Sequence, residues 1–241
     1  ISSIPCALLS FLVWIIPESP AMFRKQESHF KETLFQRKFL RSSLISGSLM
    51  FFQQFAGTSA FLANLQTIFE DSHINLNDSI ASFLVGITGV IAVVITSGII
   101  GFFGRRPAWH ISSAAQAIAL ALAACNEKWI DNKILPVVCL IADNFFFSIG
   151  LAPIPWFIVP ELFPDSVRSF ATSFMVAINW IFGSALFYVF DYMKAGLGPA
   201  WTFGFFGIIN VGSLIFGILY LPEPKGDMGQ QDSIEPFSKE N

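Results

Sequence analysis

Apolar residues in this chain gather into long runs separated by short polar links. After a first run at Ile1–Ile16, six longer ones follow, at about Ser43–Phe69, Ile80–Phe103, Trp109–Cys125, Ile134–Val159, Val167–Tyr192 and Pro199–Leu221. A helix crossing the hydrocarbon core needs about 20 residues, with a range of about 17–25. All six runs meet that length, the Trp109 run at its lower limit. With no water in the bilayer core, each backbone group must be satisfied internally, which favours helix. A transmembrane barrel calls for alternating segments of about 10 residues, and none is present. The pattern therefore predicts an all-α polytopic membrane protein embedded in a lipid bilayer.

Composition strengthens this reading. The chain is 54% hydrophobic and 13% charged, with 28 Phe among 241 residues, whereas soluble domains carry about a quarter charged residues. Lys and Arg set the expected orientation, because basic residues collect in cytoplasmic loops. Counting alternate links places eleven of them on one side and three (Lys128, Lys133, Lys194) on the other. The basic side holds the 17–42 link, with Arg24, Lys25, Lys31, Arg37, Lys38 and Arg41, and the C-terminal tail, so both are expected in the cytosol. The first run has no charged leader and no small-residue cleavage site, unlike a signal peptide. The sequence starts at Ile1 inside an apolar run, without an initiator Met, and is expected to be a fragment of a longer protein.

Several chemistries find no support. The net charge of −3 comes with no basic patch interleaved with aromatics, so no nucleic-acid partner is expected. Cys6, Cys125 and Cys139 are odd in number and widely spaced, against a disulfide framework or a zinc site. His29, His73 and His110 are equally scattered, with no metal-ligand spacing. No nucleophile–base pair or phosphate-cradling glycine loop is present, so neither catalysis nor a cofactor is expected.

Two runs are interrupted. The Ser43 run carries Gln53, Gln54 and Gly57; the Ile134 run carries Pro153 and Pro155 in "GLAPIPWF". Proline removes a helix donor and clashes with the preceding turn, so a kink is expected near Ala152–Trp156. If the six runs form two triplets, these are the first member of each, and broken helices in matching positions point to a transporter's binding site. Asn179 and Trp180 lie mid-run, and Asp143 and Asn144 about nine residues into theirs. Intramembrane polar groups usually face a bundle interior or a wet cavity. In a straight helix, Gln53, Gly57, Ala60 and Asn64 fall on one stripe; Ser59 joins that face only if the helix breaks at Gly57. Any one amide could equally be interhelical glue; together they favour a pathway. Trp156 fits either an interfacial belt or the pathway. Asp143 fits either a proton-coupling acid or a hydrogen-bonded acid that serves packing.

Six motifs, in order, give the chain a family resemblance: "PESPAMF" (Pro17–Phe23), "QQFAGTSA" (Gln53–Ala60), "GFFGRRP" (Gly101–Pro107), "APIPWFIVPELFPDSVR" (Ala152–Arg168), "INW" (Ile178–Trp180) and "LPEPKG" (Leu221–Gly226). They resemble the signatures of the C-terminal half of sugar porters, the glucose-facilitator-like branch of the major facilitator superfamily. The resemblance implies the six-helix C-terminal half of that fold over 43–221. Before it come the end of helix six (1–16) and the central cytosolic loop (17–42); a cytosolic tail (222–241) follows. It also implies an N-terminal transmembrane half as partner, a small neutral sugar as substrate, and a multi-pass location in the plasma membrane.

By the same resemblance, Gln53 and Gln54 bond sugar hydroxyls, and Ser59 stands where the family has Asn. Trp156 stacks on the sugar ring, and Asn179 lines the same cavity; Asn64, counted among the substrate-binding residues for its place on the stripe, stands with Ala63 where the family has an aromatic pair. Arg105, Arg106, Glu161, Arg168 and Glu223 form a cytosolic charge network that acts as a gate. The sequence departs from the pattern at Ala21, Gly89, Gly101, Phe102, Ala63, Ser148 and Pro224. The function expected is alternating-access transport of a hexose or related polyol, facilitated or proton-coupled. The alternative is a non-transporting sugar sensor or an inactive truncated transporter.

Overall fold

A computed structural model of the chain describes residues 37–64, 78–130, 132 and 134–222, all within one compact unit. Among the described residues there are eight α-helices and one π-helical segment. In chain order they are α1 (Arg37–Phe55), α2 (Thr58–Ala63), α3 (Asp78–Phe103), α4 (Arg105–Cys125), the π segment Asn126–Ile130, α5 (Leu135–Ile149), α6 (Ile154–Glu161), α7 (Asp165–Leu197) and α8 (Pro199–Tyr220). Among the described residues, four stretches are long and apolar enough to cross a membrane: Arg105–Ile130, Leu135–Glu161, Asp165–Leu197 and Pro199–Tyr220.

The helices follow the apolar runs, with two differences. First, α1 begins at Arg37, inside the stretch read as the end of the cytosolic loop. Its opening residues include Arg37, Lys38 and Arg41 as well as buried Phe39, so the charges lie on a helix that already packs on the core. Second, both interrupted runs split into two helices. The first breaks at Ala56–Gly57, so the straight-helix stripe from Gln53 to Asn64 does not form. The second breaks between Ile149 and Ile154.

Each break leaves backbone groups that lipid cannot satisfy, and side chains from other helices take them. Asn210 of α8 donates from Nδ2 to the Ala56 carbonyl at 3.1 Å. The Leu151 N–H donates to Ser112 Oγ at 3.2 Å, and Ser112 in turn donates to the Phe146 carbonyl at 2.7 Å. Gly57 has φ 94°, and a Cβ built there comes within 2.7 Å of Phe206 Cγ. Glycine alone meets both demands, since it visits positive φ without a Cβ penalty.

Packing follows helical periodicity. In α7 the buried residues Val167, Ala171, Met175, Asn179, Gly183, Leu186 and Phe190 recur every three or four positions, which places them on one face. That face meets α1, while α4 packs on α8 and on α5. Ala60 and Phe61 of α2 are buried in a cluster with Leu120, Leu140, Phe190 and Phe206. Outward faces carry large apolar side chains such as Ile181 and Tyr188 on α7 and Ile208 and Ile215 on α8. A bilayer, as apolar as these side chains, removes the penalty that water would impose on them.

Candidate functional site

Three amides meet where the broken runs approach α7. Gln53 and Gln54 come from the last turn of α1, and Asn179 from the middle of α7. Asn179 Nδ2 donates to Gln53 Oε1 at 2.7 Å, and Gln54 Nε2 donates to Asn179 Oδ1 at 2.8 Å. Gln53 Nε2 donates onward to the Ala152 carbonyl at 2.6 Å. Ala152 lies on the link between α5 and α6, where Pro153 and Pro155 supply no N–H to continue the helix ladder. Met50 Sδ also accepts from Asn179 Nδ2, at 3.3 Å.

Packing around the triad fixes its geometry. Phe51 stacks on Phe55 at 4.5 Å between centroids, and Phe182 of α7 meets Phe51 edge-on at 5.6 Å. Gly183, one helical turn after Asn179, leaves room for the Gln54 amide: a Cβ there lies 3.3 Å from Gln54 Nε2. Asn179 is 1% exposed and Gln53 6% exposed, whereas Gln54 is half-buried. The accessible end of the triad is therefore Gln54. An amide offers both donors and an acceptor without charge, which suits a neutral polyol.

A second buried polar cluster lies on the other side of the Gly57 break. Thr58 Oγ stands 2.7 Å from Asp143 Oδ2 and 3.3 Å from Gln116 Oε1. Gln116 Nε2 donates to Ser112 Oγ at 3.0 Å. Asp143 is fully buried, and its Oδ1 has no hydrogen-bond partner among the described residues. Asp143 thus lies on the seam of α2, α4 and α5, apart from the amide triad. Its neighbour Asn144 turns toward α3, with Nδ2 3.5 Å from Thr88 Oγ.

The remaining sequence-predicted residues are not all gathered at the triad. Asn64 closes α2 and donates back to the Ala60 carbonyl at 3.0 Å. Ser59 is half-buried in the first turn of α2. Trp156, near the start of α6, is 41% exposed, and Trp180 of α7 is 65% exposed. Of the charge network, Arg105 and Glu161 form a two-pronged ion pair, with Arg105 Nη2 to Glu161 Oε1 at 2.8 Å. Arg106 Nε donates to the Leu221 carbonyl at 2.6 Å. Arg168 Nε donates to the Pro160 carbonyl at 2.8 Å, and its Nη1 pairs with Asp165. It thereby braces the α6–α7 turn and makes no bond to Glu161 among the described residues. Glu223 lies outside the described residues, as do the 1–16 segment, the "PESPAMF" motif and the tail beyond 222.

Periodicity and motif had not singled out Gly183, Asn210, Thr58, Gln116 and Ser112. Asn210 did carry a signal, as a lone amide within "GFFGIINVGS", but its partner is a backbone carbonyl on another helix. Among the described residues no group of three or more His, Cys, Asp or Glu could hold a metal ion, and Cys125 and Cys139 are free thiols.

Comparison with known proteins decides the family. The family described as "Sugar (and other) transporter" matches residues 16–230. The chain belongs to this sugar transporter family. Among similar proteins, the facilitated trehalose transporter Tret1 of Bombyx mori is 32% identical over 204 residues, covering 82% of this chain and 40% of that protein. A Tret1-2 homolog of Drosophila sechellia is 30% identical over 200 residues, covering 80% of this chain and 41% of that protein. The chain thus spans about two-fifths of the length of these relatives, which are named as transporters.

Solved structures agree on the fold. An inward-open structure of the xylose transporter XylE from E. coli has a TM-score of 0.72 at 20% identity, covering 92% of this chain and 52% of that one. A double-Trp mutant of XylE reaches 0.79 at 20% identity over 93% of this chain and 55% of that one. This sugar transporter family member is an all-α, multi-pass membrane protein with a major facilitator fold.

Proposed function

We propose that the protein containing this chain carries a small neutral sugar, a hexose or related polyol, across a membrane by alternating access. In this reading the chain supplies the C-terminal half, and an N-terminal transmembrane half completes the cavity. The observation that carries it is the amide triad of Gln53, Gln54 and Asn179, set where two broken helices meet α7. Such a site can exchange hydrogen bonds with sugar hydroxyls, replacing their hydration without burying a charge. Trp156 offers an exposed indole face near the same break, able to cover the apolar side of a sugar ring. Ser59 and Asn64, on α2 beyond the Gly57 break, are assigned to the outer edge of the same site. The trehalose transporters named above support a sugar as substrate.

The Arg105–Glu161 pair joins the start of α4 to the end of α6. With Arg106, Arg168 and Glu223 it is assigned to the cytosolic gate, and the 17–42 segment and tail to the cytosolic side of a plasma-membrane protein. Uptake of labelled hexose is the test, using the full-length protein in cells without their own hexose carriers. Saturable uptake is expected, with loss in Gln54→Ala; uptake unchanged by that substitution overturns the assignment. Binding without uptake points instead to a sugar sensor, a reading the missing motif residues at Ala21 and Gly101 favour.

A further inference from the structure

Resting on the sugar-transport reading only for its link to uptake, we infer that Asp143 is a proton-binding site, separate from the amide triad. Its proton ties α2 to α4, and exchange of that proton makes sugar transport depend on pH.

Hydrogens are scarce in the cluster around Asp143. Ser112 orients the Gln116 amide, whose Nε2 donates to Ser112 Oγ at 3.0 Å and to the Ser112 carbonyl at 3.3 Å. Gln116 Oε1 therefore faces Thr58, and it can only accept. An ionised Asp143 can also only accept. Thr58 Oγ stands between these oxygens, 2.7 Å from Asp143 Oδ2 and 3.3 Å from Gln116 Oε1, with one hydrogen to give. With the acid ionised, one of the two acceptors goes without. With the acid protonated, every contact has its hydrogen. Asp143 then donates to Thr58, Thr58 to Gln116, Gln116 to Ser112, and Ser112 to the Phe146 carbonyl at 2.7 Å. The cluster fits a neutral acid at the head of a one-way chain.

Its surroundings agree. Asp143 is 1% exposed, and its Oδ1 has no hydrogen-bond partner among the described residues. Thr58 of α2 and Gln116 and Ser112 of α4 are neutral, and α3 reaches the neighbouring Asn144 through Thr88, also neutral. Cys139, one turn earlier on α5, is the titratable neighbour. No Lys, Arg or His among the described residues bears on the carboxyl. An unpaired buried charge is costly, and a proton removes it. That proton exchanges only when the cluster opens. The element placed to open it is α2, six residues long (Thr58–Ala63) and reached through the positive-φ break at Gly57. The chain's far end, Ser112, also receives the Leu151 N–H from the break between α5 and α6. One proton thus acts on both broken runs.

The test pairs two readouts on the purified full-length protein. Difference infrared spectra, unsubstituted against Asp143→Asn, read the carbonyl stretch of a protonated carboxyl. Uptake of labelled hexose into proteoliposomes is followed over the same pH range. The band is expected at neutral pH and is lost as pH rises, with uptake by the unsubstituted protein changing over the same interval. Asp143→Asn keeps a donor toward Thr58 and is expected to lose both the band and that pH dependence. Thr58→Val, of similar volume, is expected to shift the band, because the carboxyl loses its acceptor. Absence of the band at every pH means an ionised Asp143 and overturns the site. A band present at every pH, with Asp143→Asn keeping the pH dependence of uptake, makes Asp143 a packing acid and overturns the site as well. If the unsubstituted protein takes up no sugar yet shows a titrating band, the transport reading fails while the proton site stands.

Discussion

At Gly57 the chain turns from α1 into α2 with φ 94°, against the ring of Phe206. Gly57→Ala forces a Cβ into both a positive-φ backbone and an aromatic ring, and is expected to cost more than about 1 kcal/mol. A lowered melting temperature in detergent reads this out; an unchanged one refutes it. Gly183 makes a different demand. Its backbone is helical, and only the Gln54 amide, 3.3 Å from a built Cβ, needs the space. Gly183→Ala is expected to weaken sugar binding by displacing Gln54 while leaving the melting temperature in place. Equal loss of stability and affinity would mean that Gly183 serves packing alone. The sequence flagged Gly57 as a weak point in an apolar helix, since glycine in that setting is costly. Gly183 looked like any small residue of a membrane helix, because its role depends on a side chain 129 positions earlier.

At the level of elements, the prolines foretold the break between α5 and α6, because a missing donor acts locally; Gly57 marked only a place where the first run could break. What satisfies the breaks was not local. Asn210 serves the Ala56 carbonyl, Ser112 the Leu151 N–H and Gln53 the Ala152 carbonyl, each from another helix. The π segment at Asn126–Ile130 was likewise not foreseen, and it extends α4 into the longer stretch Arg105–Ile130. The Arg105–Glu161 pair ties α4 to α6 through side chains that are 18% and 49% exposed. Ion pairs this open contribute about 0–1 kcal/mol. Arg105→Gln is therefore expected to leave thermal stability nearly unchanged while shifting the balance between inward-open and outward-open states. Cysteine-accessibility labelling on the two sides measures that balance; an unshifted balance would remove Arg105 from the gate.

On the scale of the whole molecule, the excess of basic residues on one side predicts that the C-terminal tail is cytosolic. A fluorescent or phosphatase reporter fused to that tail checks it, and a reporter active only on the outer side reverses the topology. Run lengths and polar punctuation determined by themselves that the chain is an all-α membrane protein with two interrupted apolar runs. Six ordered motifs pointed to its family. Those features are legible because lipid imposes one rule on every residue: an apolar side chain outside, a satisfied backbone within. Only the tertiary structure decided which polar groups meet. It joined Gln53 and Gln54 to Asn179, sent Asn64 back to its own helix, and separated Asp143 from the triad by placing it against Thr58. It also turned Arg168 toward the α6–α7 turn rather than toward Glu161. Hydrogen-bond partners more than a hundred residues apart are fixed by helix crossings and rotations, and neither periodicity nor motif spacing encodes those angles.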